Sequence, residues 1–89
     1  MKRVGEFYVY IVECVDGTYY TGSTNDLEKR IALHNSGFGA KYLRGKTPVK
    51  MVYAKEYKHY KNVLRAERNL KKLSHKEKQE LAEIYASKR

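Results

Sequence analysis

Two runs of aromatic and β-branched residues, Phe7-Tyr8-Val9-Tyr10-Ile11-Val12 and Thr18-Tyr19-Tyr20-Thr21-Gly22, stand on either side of Asp16-Gly17. Such residues suit a pleated sheet, and an Asp-Gly pair takes the backbone angles of a tight reversal, so the segment predicts a β-hairpin. Two registers satisfy the pattern. A two-residue turn at Asp16-Gly17 pairs Val15 with Thr18 and Glu13 with Tyr20, which sends Tyr10 and Tyr20 to opposite faces. A three-residue turn over Val15-Asp16-Gly17, with Gly17 left-handed as a bulge, pairs Cys14 with Thr18 and Val12 with Tyr20. Tyr10 and Tyr20 then share a face as diagonal neighbours, roughly 6 to 8 Å apart at the backbone, and their hydroxyls can converge on one phosphate.

The rest of the chain has to cover that sheet. Asn25-Asp26-Leu27-Glu28 sets a capping residue three positions before a glutamate and opens a helix of about 26–36, whose Leu27, Ile31 and His34 share a face until Gly37. The glycines and cations of residues 36–47 read as a loop or a short helical turn. Pro48 introduces a third strand in which Val49, Met51 and Tyr53 alternate with Lys50 and Val52. Val63, Ala66, Leu70 and Leu73 mark one face of a helix of about 61–73. Ser74-His75-Lys76-Glu77 is a capping box that ends this helix and starts another carrying Leu81, Ile84 and Tyr85. The predicted order is ββαβαα, an α+β fold with a small three-stranded antiparallel sheet flanked by helices. With 89 residues there is room for one domain, and a chain of that size buries only about 60 to 65 % of its unfolded surface.

Charge is unevenly spread. Residues 1–35 hold four Lys/Arg against five Asp/Glu, whereas residues 36–73 hold eleven against two, so the middle alone carries the +9 of the whole chain. That is an electrostatic footprint for phosphate, with a solvated, solubilising surface as the plainer alternative. No apolar run approaches a membrane span, and Met1-Lys2-Arg3-Val4-Gly5-Glu6 passes into the first strand without a signal-peptide core, so a cytoplasmic location is expected. The single Cys14 excludes an internal disulfide and a multi-cysteine zinc site, and it reads as a small buried hydrophobe. Nucleotide-binding and metalloprotease motifs are absent, so no nucleotide cofactor is expected.

Five elements in order resemble the GIY-YIG nuclease superfamily over about residues 6–80, and most closely its short stand-alone bacterial members. Tyr8-Val9-Tyr10 stands in the place of Gly-Ile-Tyr, and Tyr20-Thr21-Gly22 in that of Tyr-Ile-Gly. Arg30 followed four residues later by His34 is similar to the family's first helix. Glu67, within Leu64-Arg65-Ala66-Glu67-Arg68-Asn69-Leu70, is similar to the glutamate of its second. Gly39-Ala40-Lys41-Tyr42-Leu43-Arg44-Gly45-Lys46 and Pro48-Val49-Lys50 resemble the short subfamily in particular.

The resemblance implies an endonuclease that hydrolyses phosphodiester bonds with one divalent metal, Mg²⁺ being the expected ion. Tyr10 and Tyr20 would share the work of orienting and deprotonating water, a task for which an unperturbed phenol is only about one part in a thousand ionised at neutral pH. Arg30 would offer its fork of donors to the phosphate, or else pair with Asp26 as an ordinary surface cation. His34, one turn on, would hydrogen-bond phosphate or a leaving oxygen, or pack. Glu67 sits between Val63 and Leu70 on an apolar side, where a carboxylate needs a partner, either a hard cation or Lys71.

Two positions depart from larger repair-type relatives: Ser23 stands where they carry a lysine, and residues 74–84 lack their asparagine. Weaker activation follows, or substitution by Lys41. The cations Lys41, Arg44 and Lys46 would approach nucleic-acid phosphate and Tyr42 would stack on a base, unless this loop only connects helix to strand. DNA is the first partner expected, and strong sequence choice would call for a dimer or a partner protein. A nucleic-acid-binding module that cuts little is the alternative, and a protein-interaction adaptor the third reading. Weak salt dependence of binding would favour the adaptor.

Overall fold

A computed structural model of the chain describes residues 6–88. The Met1-to-Gly5 lead-in, read above for signal-peptide character, lies outside the described residues. The hairpin adopts the three-residue register: β1 (Phe7–Glu13) pairs antiparallel with β2 (Tyr19–Thr24), Val12 opposite Tyr20 and Tyr10 opposite Gly22. The Cys14 amide donates to the Thr18 carbonyl at 2.8 Å, and the Gly17 amide to the Cys14 carbonyl at 2.9 Å, with Gly17 at φ 85°. Only glycine adopts that angle without a Cβ clash. The Asp16 carboxylate accepts from the Thr18 hydroxyl at 2.6 Å and the Thr18 amide at 3.1 Å. These two bonds, the hydroxyl first, hold its pKa down from 3.8 to about 2.

Three helices follow the sheet elements: α1 (Leu27–Asn35), α2 (Tyr60–Lys71) and α3 (His75–Ser87), with a 3-10 turn at Lys41–Leu43 between α1 and β3 (Lys50–Tyr57). The first helix starts one residue later than its capping pattern suggests. Asp26, not Asn25, is the N-cap, its carboxylate accepting from the Lys29 amide at 3.1 Å. The Thr24 hydroxyl takes the Asp26 amide at 3.1 Å, which leaves Asp26 extended and makes Glu28 the second helical residue rather than the third. At the far end Gly37 (φ 89°) sends its amide to His34 at 3.1 Å and Phe38 sends its amide to Leu33 at 3.3 Å, closing a Schellman turn. The capping box at Ser74 forms as expected, with Glu77 amide to Ser74 Oγ at 3.1 Å and Ser74 amide to Glu77 Oε1 at 2.8 Å.

Strand order is β2-β1-β3, all antiparallel, so β1 is central. Its Val9, Tyr10, Ile11 and Val12 are all 0 % exposed, which means both faces are covered. Tyr10 and Val12 face Leu43 and Val49, with Leu27 and Ile31 of α1 packed against them. α2 packs on β1 and β2, and α3 on β3. Each fully buried side chain of this size contributes about 1.5–3 kcal/mol, so consecutive burial makes β1 the strand the domain most depends on.

The third strand departs from strict alternation. Tyr53 pairs with Ile11 and Met51 with Val12, so Val52 is an extra residue in a β-bulge. Met51 and Ala54 consequently face the Tyr10 cluster, whereas Tyr53 turns to the other side and meets Tyr85 of α3 at 5.5 Å between ring centroids. The expectation that Val49, Met51 and Tyr53 share a face is thus corrected: two different layers pack on this strand, and the bulge lets it serve both.

Candidate active site

The hairpin register brings the two motif tyrosines together on one face. Gly22 lies under them: a Cβ there would stand 2.6 Å from the Tyr10 hydroxyl oxygen, 2.8 Å from Tyr10 Cζ and 3.1 Å from Tyr20 Cε2. Glycine is therefore required by close approach of two rings rather than by backbone angle. Tyr20 remains partly exposed and stacks against Tyr42 with centroids 5.9 Å apart.

His34 reaches the same cluster from the last turn of α1. Its ring lies 6.0 Å from Tyr10 and 5.7 Å from Tyr20, centroid to centroid, and it is 1 % exposed. The Ala40 amide donates to His34 Nδ1 at 3.3 Å, and an amide can only donate, so Nδ1 is the accepting nitrogen. Burial first, and the Arg30 charge second, push the imidazole below its ordinary pKa near 6.5 and favour the neutral ring. Its single proton is then on Nε2, which donates to the Tyr10 hydroxyl at 2.8 Å. Gly39 makes this possible, because a Cβ at that position would collide with His34 Nδ1. Both ring nitrogens are engaged within the protein. The imidazole is enclosed and holds Tyr10, and a contact to phosphate would need the ring to give up one of these bonds.

Arg30 and Glu67 complete the cluster from two different helices. Burial raises the Tyr10 phenol above its ordinary pKa of 10.0, the hydrogen-bonding Arg30 guanidinium pulls it back, and the charges of Tyr20 and Glu67 add to the rise. All three groups thus lie within electrostatic range of one hydroxyl. Arg30 Nε is buried and has no hydrogen-bond partner among the described residues. An unsatisfied buried N–H costs about 1–3 kcal/mol, more when charged, so this donor is set for an acceptor. Glu67 Oε2 meets Lys71 at 2.9 Å, the i to i+4 pairing anticipated as its alternative partner, and its side chain is 21 % exposed against 57 % for the lysine.

The cationic loop divides into two kinds of residue. Lys41, Tyr42 and Arg44 are exposed. Lys46 is committed inside the fold: its ammonium lies 3.2 Å from Asp16, 3.4 Å from the Thr18 hydroxyl and 4.2 Å from the centre of the Tyr42 ring. It ties the loop to the hairpin turn. Hydrogen bonding with Thr18 first, and with Lys46 second, lowers the Tyr42 phenol below its ordinary range.

One positioning residue escaped the sequence reading. Asn35 accepts the Val49 amide at 2.7 Å and donates to the Val49 carbonyl at 3.3 Å, pinning the end of α1 to the start of β3. Asn35 is itself the chain neighbour of His34, so the pin also fixes the last turn of α1 that carries the imidazole. Nothing local in the sequence marks it, because its partner is fourteen positions away.

A model of the GIY-YIG catalytic domain matches residues 6–80. The chain belongs to the GIY-YIG family. Among curated relatives it is 46 % identical over 74 residues to a UPF0213 protein of Halobacterium salinarum, covering 83 % of this chain and 96 % of that one. It is 45 % identical over 73 residues to a UPF0213 protein of Streptococcus pneumoniae serotype 4, covering 82 % and 74 %. The fold is similar to the solution NMR structure of a UPF0213 protein from Bacillus halodurans, with a TM-score of 0.57 and 42 % identity over 89 % of this chain and 84 % of that one. A solution NMR structure of a protein from E. faecalis gives a TM-score of 0.63 at 34 % identity over 97 % and 92 %. The GIY-YIG match and the ββαβαα order agree with the sequence expectation. Among the described residues no helix is long and apolar enough to cross a membrane.

Proposed function

We propose that this GIY-YIG domain is a metal-dependent endonuclease hydrolysing phosphodiester bonds of nucleic acid, with DNA as the leading substrate. The observation that carries the reading is the buried, unpartnered Nε of Arg30 beside the paired tyrosines. A phosphodiester oxygen is the acceptor this donor lacks, and the guanidinium fork suits it. Tyr20, the more exposed of the two phenols, orients a water molecule, and in its phenolate form it accepts the water proton as the water oxygen bonds to phosphorus. Tyr10, held by His34, fixes the ring beside it, and Arg30 takes up charge on the phosphate as the opposite P–O bond breaks.

The donor set fits a hard divalent cation such as Mg²⁺ in one specific way. No group of three or more His, Cys, Asp or Glu gathers among the described residues, so Glu67 would hold the ion as a single carboxylate, with phosphate oxygens and waters completing its shell. When bound, the ion neutralises phosphate charge and makes nearby water more acidic. Lys71 occupies one of the two carboxylate oxygens, Oε2, and competes with the ion for the charge of Glu67. That ion pair favours the second reading, a nucleic-acid-binding domain that cuts little. Lys41, Arg44 and Tyr42 extend the contact surface, Lys46 holds that surface in place, and sequence choice is left to a second copy or a partner protein.

The test is cleavage of labelled DNA and RNA with Mg²⁺ or Mn²⁺, comparing wild type with Tyr20→Phe, Tyr10→Phe, Arg30→Ala and Glu67→Gln. Loss of one transition-state donor at Arg30 is expected to slow cleavage by about 10²–10³-fold with binding less affected. A wild type that binds as its variants do and cuts nothing in either metal ends the nuclease reading and leaves the binding module.

A further inference from the structure

Phe38 is the most exposed large hydrophobic side chain among the described residues, at 78 %. It is displayed on a fixed mount. Its own amide is bonded to Leu33, the Gly37 amide before it to the His34 carbonyl, and the Ala40 amide after it to the His34 ring. Gly39 lies directly against that ring. The backbone on both sides of Phe38 is therefore anchored to His34, inside the tyrosine cluster. A Schellman turn commonly rests this position on the residue five before it, but Leu33 is itself 37 % exposed and leaves the phenyl ring bare.

Leu33 lies three residues after Arg30 on α1, and it lines with Lys29 and Arg30 a hollow of about 200 Å³. Leu33, to which the Phe38 amide is bonded, thus places this segment beside the hollow shared with Arg30, whose Nε has no partner among the described residues. A single exposed phenylalanine has no significance alone. One whose backbone is fixed on both sides, beside the hollow that Leu33 shares with Arg30, offers a flat π face to a nucleotide adjoining a phosphate bound there.

We infer that Phe38 is a stacking platform for an unpaired nucleobase adjoining the phosphate held by Arg30, so that the domain prefers nucleic acid with single-stranded nucleotides at the site. The faces of paired bases are already covered by their neighbours in a duplex, whereas an unpaired base has a face to give, and stacking reads no sequence. The inference rests on the proposed nucleic-acid reading and names the substrate class within it.

The test uses the whole chain, without divalent metal so that nothing is cut. Binding of a short oligothymidine and of a blunt duplex is measured by anisotropy for wild type, Phe38→Ala and Phe38→Trp. Stacking on one base corresponds to roughly 5- to 150-fold in affinity, so Phe38→Ala is expected to lose about ten-fold on the single strand and little on the duplex. Phe38→Trp should retain affinity. It also introduces the sole tryptophan of a chain that has none, and its fluorescence should be quenched by the oligonucleotide. If Phe38→Ala matches wild type on both ligands, or the tryptophan emission is unmoved at saturation, the platform is refuted while the nuclease reading stands. Wild type that binds neither ligand overturns both.

Discussion

Replacing Gly22 with alanine puts a methyl group where two aromatic rings already meet. The new carbon would stand 2.6 Å from the Tyr10 hydroxyl oxygen and 2.8 Å from its Cζ. Comfortable contact begins at about 3.5 Å, so the Tyr10 ring must move by close to 1 Å. Tyr10 is 0 % exposed and cannot escape into solvent. A movement of that size is also enough to break its 2.8 Å bond to His34. Overpacking costs about 1–3 kcal/mol and a lost buried hydrogen bond about 1–3 kcal/mol, offset by about 0.5–1 kcal/mol for removing a strand glycine. The net loss should be about 2–4 kcal/mol, which for a domain of this size lowers Tm by about 10–30 °C. Urea and thermal unfolding followed by circular dichroism measure it directly. Tyr10→Phe removes the nearest atom, so the double variant should recover at least about 1 kcal/mol relative to additivity. A Gly22→Ala protein within about 0.5 kcal/mol of wild type, or an additive cycle, would refute the cradle and with it the hairpin register as the basis of the site.

Three further outcomes are expected. Because the folded pKa of His34 lies below its ordinary value, the unfolded chain binds the extra proton first; stability should fall as pH drops below about 6.5, and His34→Gln should flatten that slope in pH-dependent unfolding. Ser74→Ala removes half of the capping box and should cost about 1 kcal/mol in urea unfolding with no change in m. Lys41→Ala and Arg44→Ala should each lower the magnitude of the log K against log salt slope by up to about 0.9 on duplex DNA, whereas Lys46→Ala, whose amine is bound to Asp16, should lower Tm more than either and change the slope less.

The parts of this fold written in local chemistry were legible. The Ser74 box, the Gly37 stop and the Leu27/Ile31/His34 stripe all depend on residues within a turn or two of one another, and each formed. The hairpin stayed open between two registers because Asp16-Gly17 suits both; the choice is made by tertiary packing, Tyr10 lying over Gly22 across the sheet. Asn25 and Asp26 are equally good caps by type, and only the Thr24 hydroxyl selects the second. Motif likeness named Tyr10, Tyr20, Arg30, His34 and Glu67, but the enclosure of His34 depends on Gly39 and Ala40, whose contacts are with a folded ring rather than a sequence neighbour. Asn35 was invisible for the same reason.

The extra residue at Val52 has a consequence for how this sheet tolerates changes of length. Pairing on one side of it, Val12 with Met51, and on the other, Ile11 with Tyr53, is complete without it. Deleting that one residue can shorten the chain while every other rung keeps its partner. A deletion elsewhere in β1 or β3 would exchange inside for outside along the remainder of the strand, turning buried rings to water.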